Sequence, residues 1–184
     1  RKPQGPTLTM SPRLLDRVLG DFFERCDIED IPVIAHAAPS NAGQAESELL
    51  GCPEFWRPLM GDYADVFANE RSRLRVCLGH MGGSVGSPHS QWRRDIASLM
   101  SMYPGRVYAD LSYEEEIFAT DWTLLAESLQ FFADASALAP RKQVVYGSDW
   151  SMLAMQSRAP DYLNYFSKLL GEMDVAPTVR SQFM

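Results

Sequence analysis

The chain has 184 residues, 46% of them hydrophobic and 22% charged, the balance of a globular protein with a real core, sized for one domain or part of a larger one. Its 24 acidic and 17 basic residues leave a net charge of −7. That argues against nucleic acid or an anionic membrane as a partner, since both select basic patches, but it leaves room for a small anionic substrate in a cationic pocket.

Residues 1–10, with Pro3, Gly5 and Pro6, read as irregular. Ser11-Pro12 predicts an N-cap followed by proline at the first helical position. Leu14, Leu15, Val18, Leu19, Phe22 and Phe23 then recur at helical spacing, which predicts a helix with one buried face. The acidic stretch 27–30 ends it. A first strand is expected over 32–36, followed by a loop of small and polar residues over 37–51. Phe55, Trp56, Leu59, Met60, Tyr63, Val66 and Phe67 repeat at helical spacing, with Pro58 dividing a turn from a helix. A second strand over 74–78 leads into the turn Gly79-His80-Met81-Gly82-Gly83, whose glycines permit close backbone approach.

Trp92, Ile96, Leu99, Met100 and Tyr103 mark the next helix, stopped by Pro104-Gly105. A third strand follows over 107–111. Thr120 or Asp121 is placed to cap a helix that buries Trp122, Leu125, Leu129 and Phe132. A fourth strand covers 144–146. Pro160 opens a final helix carrying Leu163, Phe166, Leu169 and Leu170, and Gly171 is expected to end it.

This is strand–helix repeated four times after a leading helix, in one domain over 1–184. The strands are short and apolar on both faces, as parallel strands covered by helices require. The fold class is therefore α/β. An open nucleotide-binding sheet normally carries a glycine-rich phosphate loop after a strand, and neither G-x-G-x-x-G nor G-x-x-x-x-G-K-[ST] occurs. A (β/α)8 barrel takes about 250 residues, so four strands in this length match the second half of one. The chain starts at Arg1 without an initiator methionine, and a further helix would begin after Pro177. Both ends are expected to lie inside a longer protein.

Three apolar runs end in metal-type ligands: 31–36 in His36, 74–80 in His80, and 143–149 in Asp149. Taken singly, His36 reads as a core histidine, His80 as a turn residue and Asp149 as a helix N-cap. Taken together they differ, because parallel β/α folds gather their strand C-termini on one face, where active sites form. Two imidazoles and a carboxylate there suit a divalent metal. Asp110 and Ser112 end the third strand, and Trp150 adjoins Asp149. These three are candidates to contact substrate or to support the ligands. His89, in the 87–90 loop, reads as exposed or as a substrate contact. Arg57, Arg93 and Arg94 have the chemistry to clamp a carboxylate, but surface placement is the simpler reading of each. The run Glu114-Glu115-Glu116 reads as a solvated loop. Cys26, Cys52 and Cys77 are odd in number and widely spaced, so they are expected to be reduced thiols in a cytoplasmic protein. No apolar run reaches the ~20 residues of a membrane span, and the start lacks a signal-peptide pattern.

The segments Pro32-Val33-Ile34-Ala35-His36-Ala37, Leu78-Gly79-His80-Met81-Gly82-Gly83, Val107-Tyr108-Ala109-Asp110-Leu111-Ser112 and Tyr146-Gly147-Ser148-Asp149-Trp150 together resemble the amidohydrolase superfamily. Within it they resemble the amidohydrolase-related branch, which includes lactone hydrolases and non-oxidative decarboxylases. The resemblance runs from about residue 10 to the C-terminus. It implies a TIM (β/α)8 barrel of which this chain supplies the last four βα units, strands five to eight. It further implies His36 as a strand-five metal ligand, and His80 on strand six binding metal or contacting the reacting group. Asp110 would end strand seven. Asp149 would be the strand-eight carboxylate that binds metal and handles the proton of the attacking water. The family's first-strand His-x-His (or Glu-x-His) pair and its strand-four residue are missing from this sequence.

The implied function is a metal-dependent hydrolase, zinc being the expected metal. It would open an ester, lactone or amide bond of a small molecule, carboxylated ones included, through a metal-activated water. Decarboxylation on the same scaffold is the alternative. A third reading is an inert half-barrel that only binds or assembles, pairing as a homodimer through its open sheet edges.

Overall fold

The computed structural model describes residues 11–39, 49–66, 72–84, 90–133 and 143–173. The expected irregular start, most of the loop after the first strand, Phe67, His89 and the stretch beyond Pro177 lie outside them. In chain order the elements are α1 (Pro12–Glu29), β1 (Val33–His36), α2 (Trp56–Val66), β2 (Val76–Gly79), α3 (Gln91–Met102), β3 (Val107–Asp110), α4 (Thr123–Ala133), β4 (Val144–Val145), α5 (Trp150–Leu153) and α6 (Tyr162–Glu172). Single 3-10 turns precede α2 and α6 at Pro53–Phe55 and Ala159–Asp161.

The local signals act as expected at several ends. The Ser11 hydroxyl accepts the Leu14 N–H at 3.3 Å, with Pro12 opening α1. Asp121 accepts both the N–H and the hydroxyl of Thr123 at the start of α4. Pro58 sits in the first turn of α2, where its missing N–H costs nothing. Gly171 does not end α6, which runs one residue further to Glu172.

The four strands form one sheet in the order β1-β2-β3-β4, every pair parallel. Sequential order without a reversal is the winding of a barrel wall rather than of a doubly wound sheet, where the order switches direction. The fold is a partial (β/α)8 barrel.

Register explains where the core sits. Val33, Val76 and Val107 align across β1 to β3, and Ala35, Leu78, Ala109 and Val144 align two residues on. These side chains point toward the helices. Val76, Leu78, Val107, Ala109 and Val144 are buried there with Ile96, Leu99 and Met100 of α3, Leu125 and Leu129 of α4, and Tyr162 and Phe166 of α6. The alternate positions face the other way. There Ile34 is 77% exposed, His36 and Val145 are exposed, and Cys77 and Tyr108 are only half-buried. The expectation of strands covered on both faces is thus corrected. Helices cover one side, and the side that lines the inside of a complete barrel is bare.

A second correction concerns α1. Leu14, Leu15, Val18, Leu19 and Phe22 are 39–48% exposed, and the helix buries Cys26 and Asp27 instead. Periodicity reports that a helix has an apolar stripe, not that the chain in hand covers it. Phe23 does reach the core, meeting Trp56 edge-on at 5.8 Å. At the N-terminal rim, Asp27 Oδ1 accepts the Ser72 hydroxyl and the N–H groups of Arg73 and Leu74 at 2.7–2.9 Å, which pins the end of α1 to the entry of β2.

Candidate active site at the C-terminal rim

The opposite rim, at the C-terminal ends of the strands, carries the candidate residues. His36 is the last residue of β1. Its ring meets that of His80 edge to face, with centroids 4.8 Å apart and planes at 63°. The turn Leu49–Gly51 folds over His36. A Cβ on Gly51 would lie 2.7 Å from the Ala38 carbonyl oxygen and 3.5 Å from His36 Cδ2, so only glycine lets that turn approach.

His80 begins a run of four residues with positive φ: His80 at 62°, Met81 at 46°, Gly82 at 83° and Gly83 at 81°. The left-handed region costs a non-glycine residue energy and persists only where neighbours hold it. Here the neighbours come from β3. Asp110, its last residue, accepts the His80 N–H and the Ser112 N–H at 3.0 Å each on Oδ1, and the Ser112 hydroxyl on the same atom. Gly147 backs this cluster, since a Cβ there would lie 2.9 Å from Ser112 Cβ.

The partners of His80 settle its tautomer. Nδ1 lies 3.2 Å from the Ser112 carbonyl oxygen and 3.0 Å from Ser112 Oγ. A carbonyl only accepts, and the Ser112 hydroxyl proton is already given to Asp110. Nδ1 therefore carries the hydrogen, and in the neutral ring Nε2 keeps its lone pair. The same proton count excludes a serine nucleophile at Ser112. His80 donates toward that oxygen and cannot take its proton, as a nucleophile's base must.

Asp149 stands at the same rim, past the end of β4, with φ 45° at the start of α5. It accepts the Ser151 hydroxyl at 3.0 Å. Tyr113, also left-handed at φ 54°, lies near enough that the Asp149 charge adds to the rise of its phenol pKa, which comes first from a hydrogen bond to Glu115. Trp150 is 76% exposed. The structure thus brings His36, His80, Asp110 and Ser112 into one cluster and leaves Asp149 and Trp150 beside it. Burial, with a smaller contribution from the Asp110 charge, pushes the Cys77 thiol up to about 12, so this half-buried cysteine stays protonated.

Of the three arginines, Arg57 pairs with Glu54 at 2.7 Å and Arg94 bonds Gln91. Arg93 departs from the surface reading, as does Glu114 from the solvated run. Both are buried, and they form an ion pair. The sequence signal for that pair was weak, since each sits among polar neighbours. Gly51 and Tyr113 were also missed, because neither a lone loop glycine nor a non-glycine left-handed residue is marked by periodicity.

The donor chemistry fits a divalent cation in part. His80 has the arrangement of a metal-binding histidine, one nitrogen tied back to a backbone carbonyl and the other without a partner among the described residues, and His36 adds a second imidazole. Among the described residues, however, no three His, Cys, Asp or Glu side chains converge as a metal-binding group, whereas a catalytic zinc site usually has three protein ligands.

Fold and rim together define a class: a β/α-barrel protein whose candidate centre is built from histidines at strand ends. The chain matches the family model described as Amidohydrolase over residues 6–183, and it belongs to that family. Two crystal structures of an amidohydrolase from Burkholderia multivorans are similar to it, each with a TM-score of 0.42. The one with bound HEPES is 17% identical and is matched over 65% of this chain and 45% of that one. The one with bound zinc is 15% identical, matched over 94% of this chain and 66% of that one. The chain thus spans 45–66% of the length of those solved chains. No curated protein matches it.

Proposed function

We propose that this chain carries part of the active centre of a metal-dependent hydrolase, one that opens an ester, lactone or amide bond of a small molecule. The observation that supports the reading most is the apposition of His36 and His80, with the His80 Nδ1–H tied to Ser112 so that Nε2 is free. His36 and His80 would hold the metal, zinc by expectation, together with donors that the described residues do not supply. A divalent cation, when bound, supplies an acidified water and polarises a carbonyl.

The chain's own residues have distinct tasks in this proposal. Asp110 and Ser112 fix the position and tautomer of His80. Asp149, half-buried and, among the described residues, hydrogen-bonded through one oxygen to Ser151, accepts a proton from water and returns it to the leaving group. Trp150, open at the rim, offers an apolar face to the substrate. A direct test is zinc titration calorimetry of this chain beside His36→Ala and His80→Ala. Binding that weakens about tenfold or more in each variant supports the reading, and equal binding in all three removes both histidines from it.

A second reading is favoured by the bare sheet face with Ile34 77% exposed. In it the chain alone is catalytically inert and pairs through the open edges of β1 and β4, as a homodimer or with another chain. Light-scattering mass together with zinc content after dialysis separates the two readings, and a monomer without bound metal favours the inert fragment.

A further inference from the structure

One buried ion pair lies outside the chemistry described so far. Arg93, on the first turn of α3, meets Glu114, beyond the end of β3, at 2.5 Å, with side chains 3% and 2% exposed. Burying two charges is costly, and such a pair rarely adds net stability over an apolar replacement. What it holds is therefore the more informative question. Arg93 Nε and Nη2 donate to the Gly83 carbonyl at 3.2 and 2.7 Å. Gly83 closes the left-handed run that starts at His80. Glu114 is anchored on the other side, because its N–H donates to the Tyr162 hydroxyl at 2.8 Å, and that hydroxyl donates to the Leu111 carbonyl at 3.2 Å. The pair thus joins the turn after β2 to the loop after β3, the two segments that carry His80 and Ser112. The turn also packs closely on the start of α3: a Cβ on Gly82 would lie 2.8 Å from the Arg93 main-chain nitrogen and 2.9 Å from the Trp92 carbonyl carbon.

We propose that Arg93 and Glu114 are positioning residues which clamp the strained His80–Gly83 turn against the loop after β3, and so set the His80 ring between Ser112 and His36. The proposal rests on the reading of His36 and His80 as groups of the active centre. Guanidinium chemistry suits the task, since one planar fork reaches the Gly83 carbonyl and the Glu114 carboxylate at once, whereas a lysine ammonium is a single point charge on a flexible stem. Without the clamp, His80 and Met81 are free to leave the left-handed region, and the ring loses its place.

The test compares, at pH 8, the full chain with Arg93→Lys and Glu114→Gln, using Asp27→Asn at the opposite rim as a control for lost stability. Two signals are read: the nuclear Overhauser contact between the His36 and His80 rings, and zinc affinity. Both clamp variants are expected to lose the ring contact and to bind zinc about tenfold more weakly, whereas Asp27→Asn lowers the melting temperature with the contact intact. Should one clamp variant fail to fold, the other carries the comparison. A ring contact preserved in a folded clamp variant overturns the proposal, as does its loss in Asp27→Asn. If wild type binds zinc no better than His36→Ala, the metal reading fails, while the ring contact still decides the clamp.

Discussion

His36 pairs in register with Gly79, yet it is the next residue, His80, whose ring meets it. In a continuing strand, residue 80 would point to the helix-covered face, opposite to His36. The positive φ of His80 turns the chain at that residue and swings the imidazole to the His36 side. The pairing of the two rings is therefore made by a backbone conformation, held by the Asp110 carboxylate on the His80 N–H.

Gly82→Ala should break this arrangement. Its φ of 83° disfavours any L side chain, and a Cβ would strike the Arg93 main-chain nitrogen at 2.8 Å. The expected loss is about 1–3 kcal/mol, read by urea unfolding, together with loss of the His36–His80 ring contact. Gly20→Ala, in open space on α1, should instead be neutral or stabilising by up to ~1 kcal/mol.

On the proposed function, His36→Ala in the full-length protein is expected to abolish turnover through loss of the metal. Asp149→Asn is expected to keep much of the metal and lose about 100-fold or more in kcat. Metal analysis beside kinetics checks both. Unchanged turnover in Asp149→Asn would exclude it as the proton acceptor.

The buried carboxyl of Glu114 gives a pH signature. Burial lifts its pKa from 4.5 to about 7, the Arg93 charge and hydrogen bond pull it down, and the charges of Glu116 and Asp110 add to the rise. The folded chain therefore holds a proton that the unfolded chain has released, and stability falls as pH rises through the window from about 4.5 to about 7. Melting temperatures at pH 5 and 8 should show that fall in wild type and a smaller one in Glu114→Gln. Parallel pH trends in the two proteins would show that Glu114 titrates alike folded and unfolded.

Ile34→Ser tests the bare face. The side chain is mostly in solvent, so folding stability should move by no more than about 0.5 kcal/mol. Self-association, measured by light scattering against concentration, should drop if the open face pairs with a second copy. An unchanged mass distribution would count against pairing there.

Much of the architecture was readable in advance because it rests on alternation. Each strand lies within two residues of its expected ends, and His36 ends β1 as anticipated. What escaped reading depends on partners distant in the chain. Arg93 and Glu114 look like surface charges until α3 and the loop after β3 are brought together. Leu14, Leu15, Val18, Leu19 and Phe22 look like core until the sheet is seen to stop at β1. Spacing alone puts Asp110 and Ser112 beside the site, but their joint grip on His80 depends on proton directions that no spacing encodes.

Non-glycine residues in the left-handed region follow β2, β3 and β4: His80 with Met81, Tyr113 and Asp149. This has a practical consequence for anyone reshaping the rim. At those positions valine, isoleucine or threonine would clash with its own main chain before meeting any ligand. Libraries aimed at new chemistry would do better to restrict these sites to asparagine, aspartate, histidine or glycine, and to place bulk and branching one or two residues further along each loop.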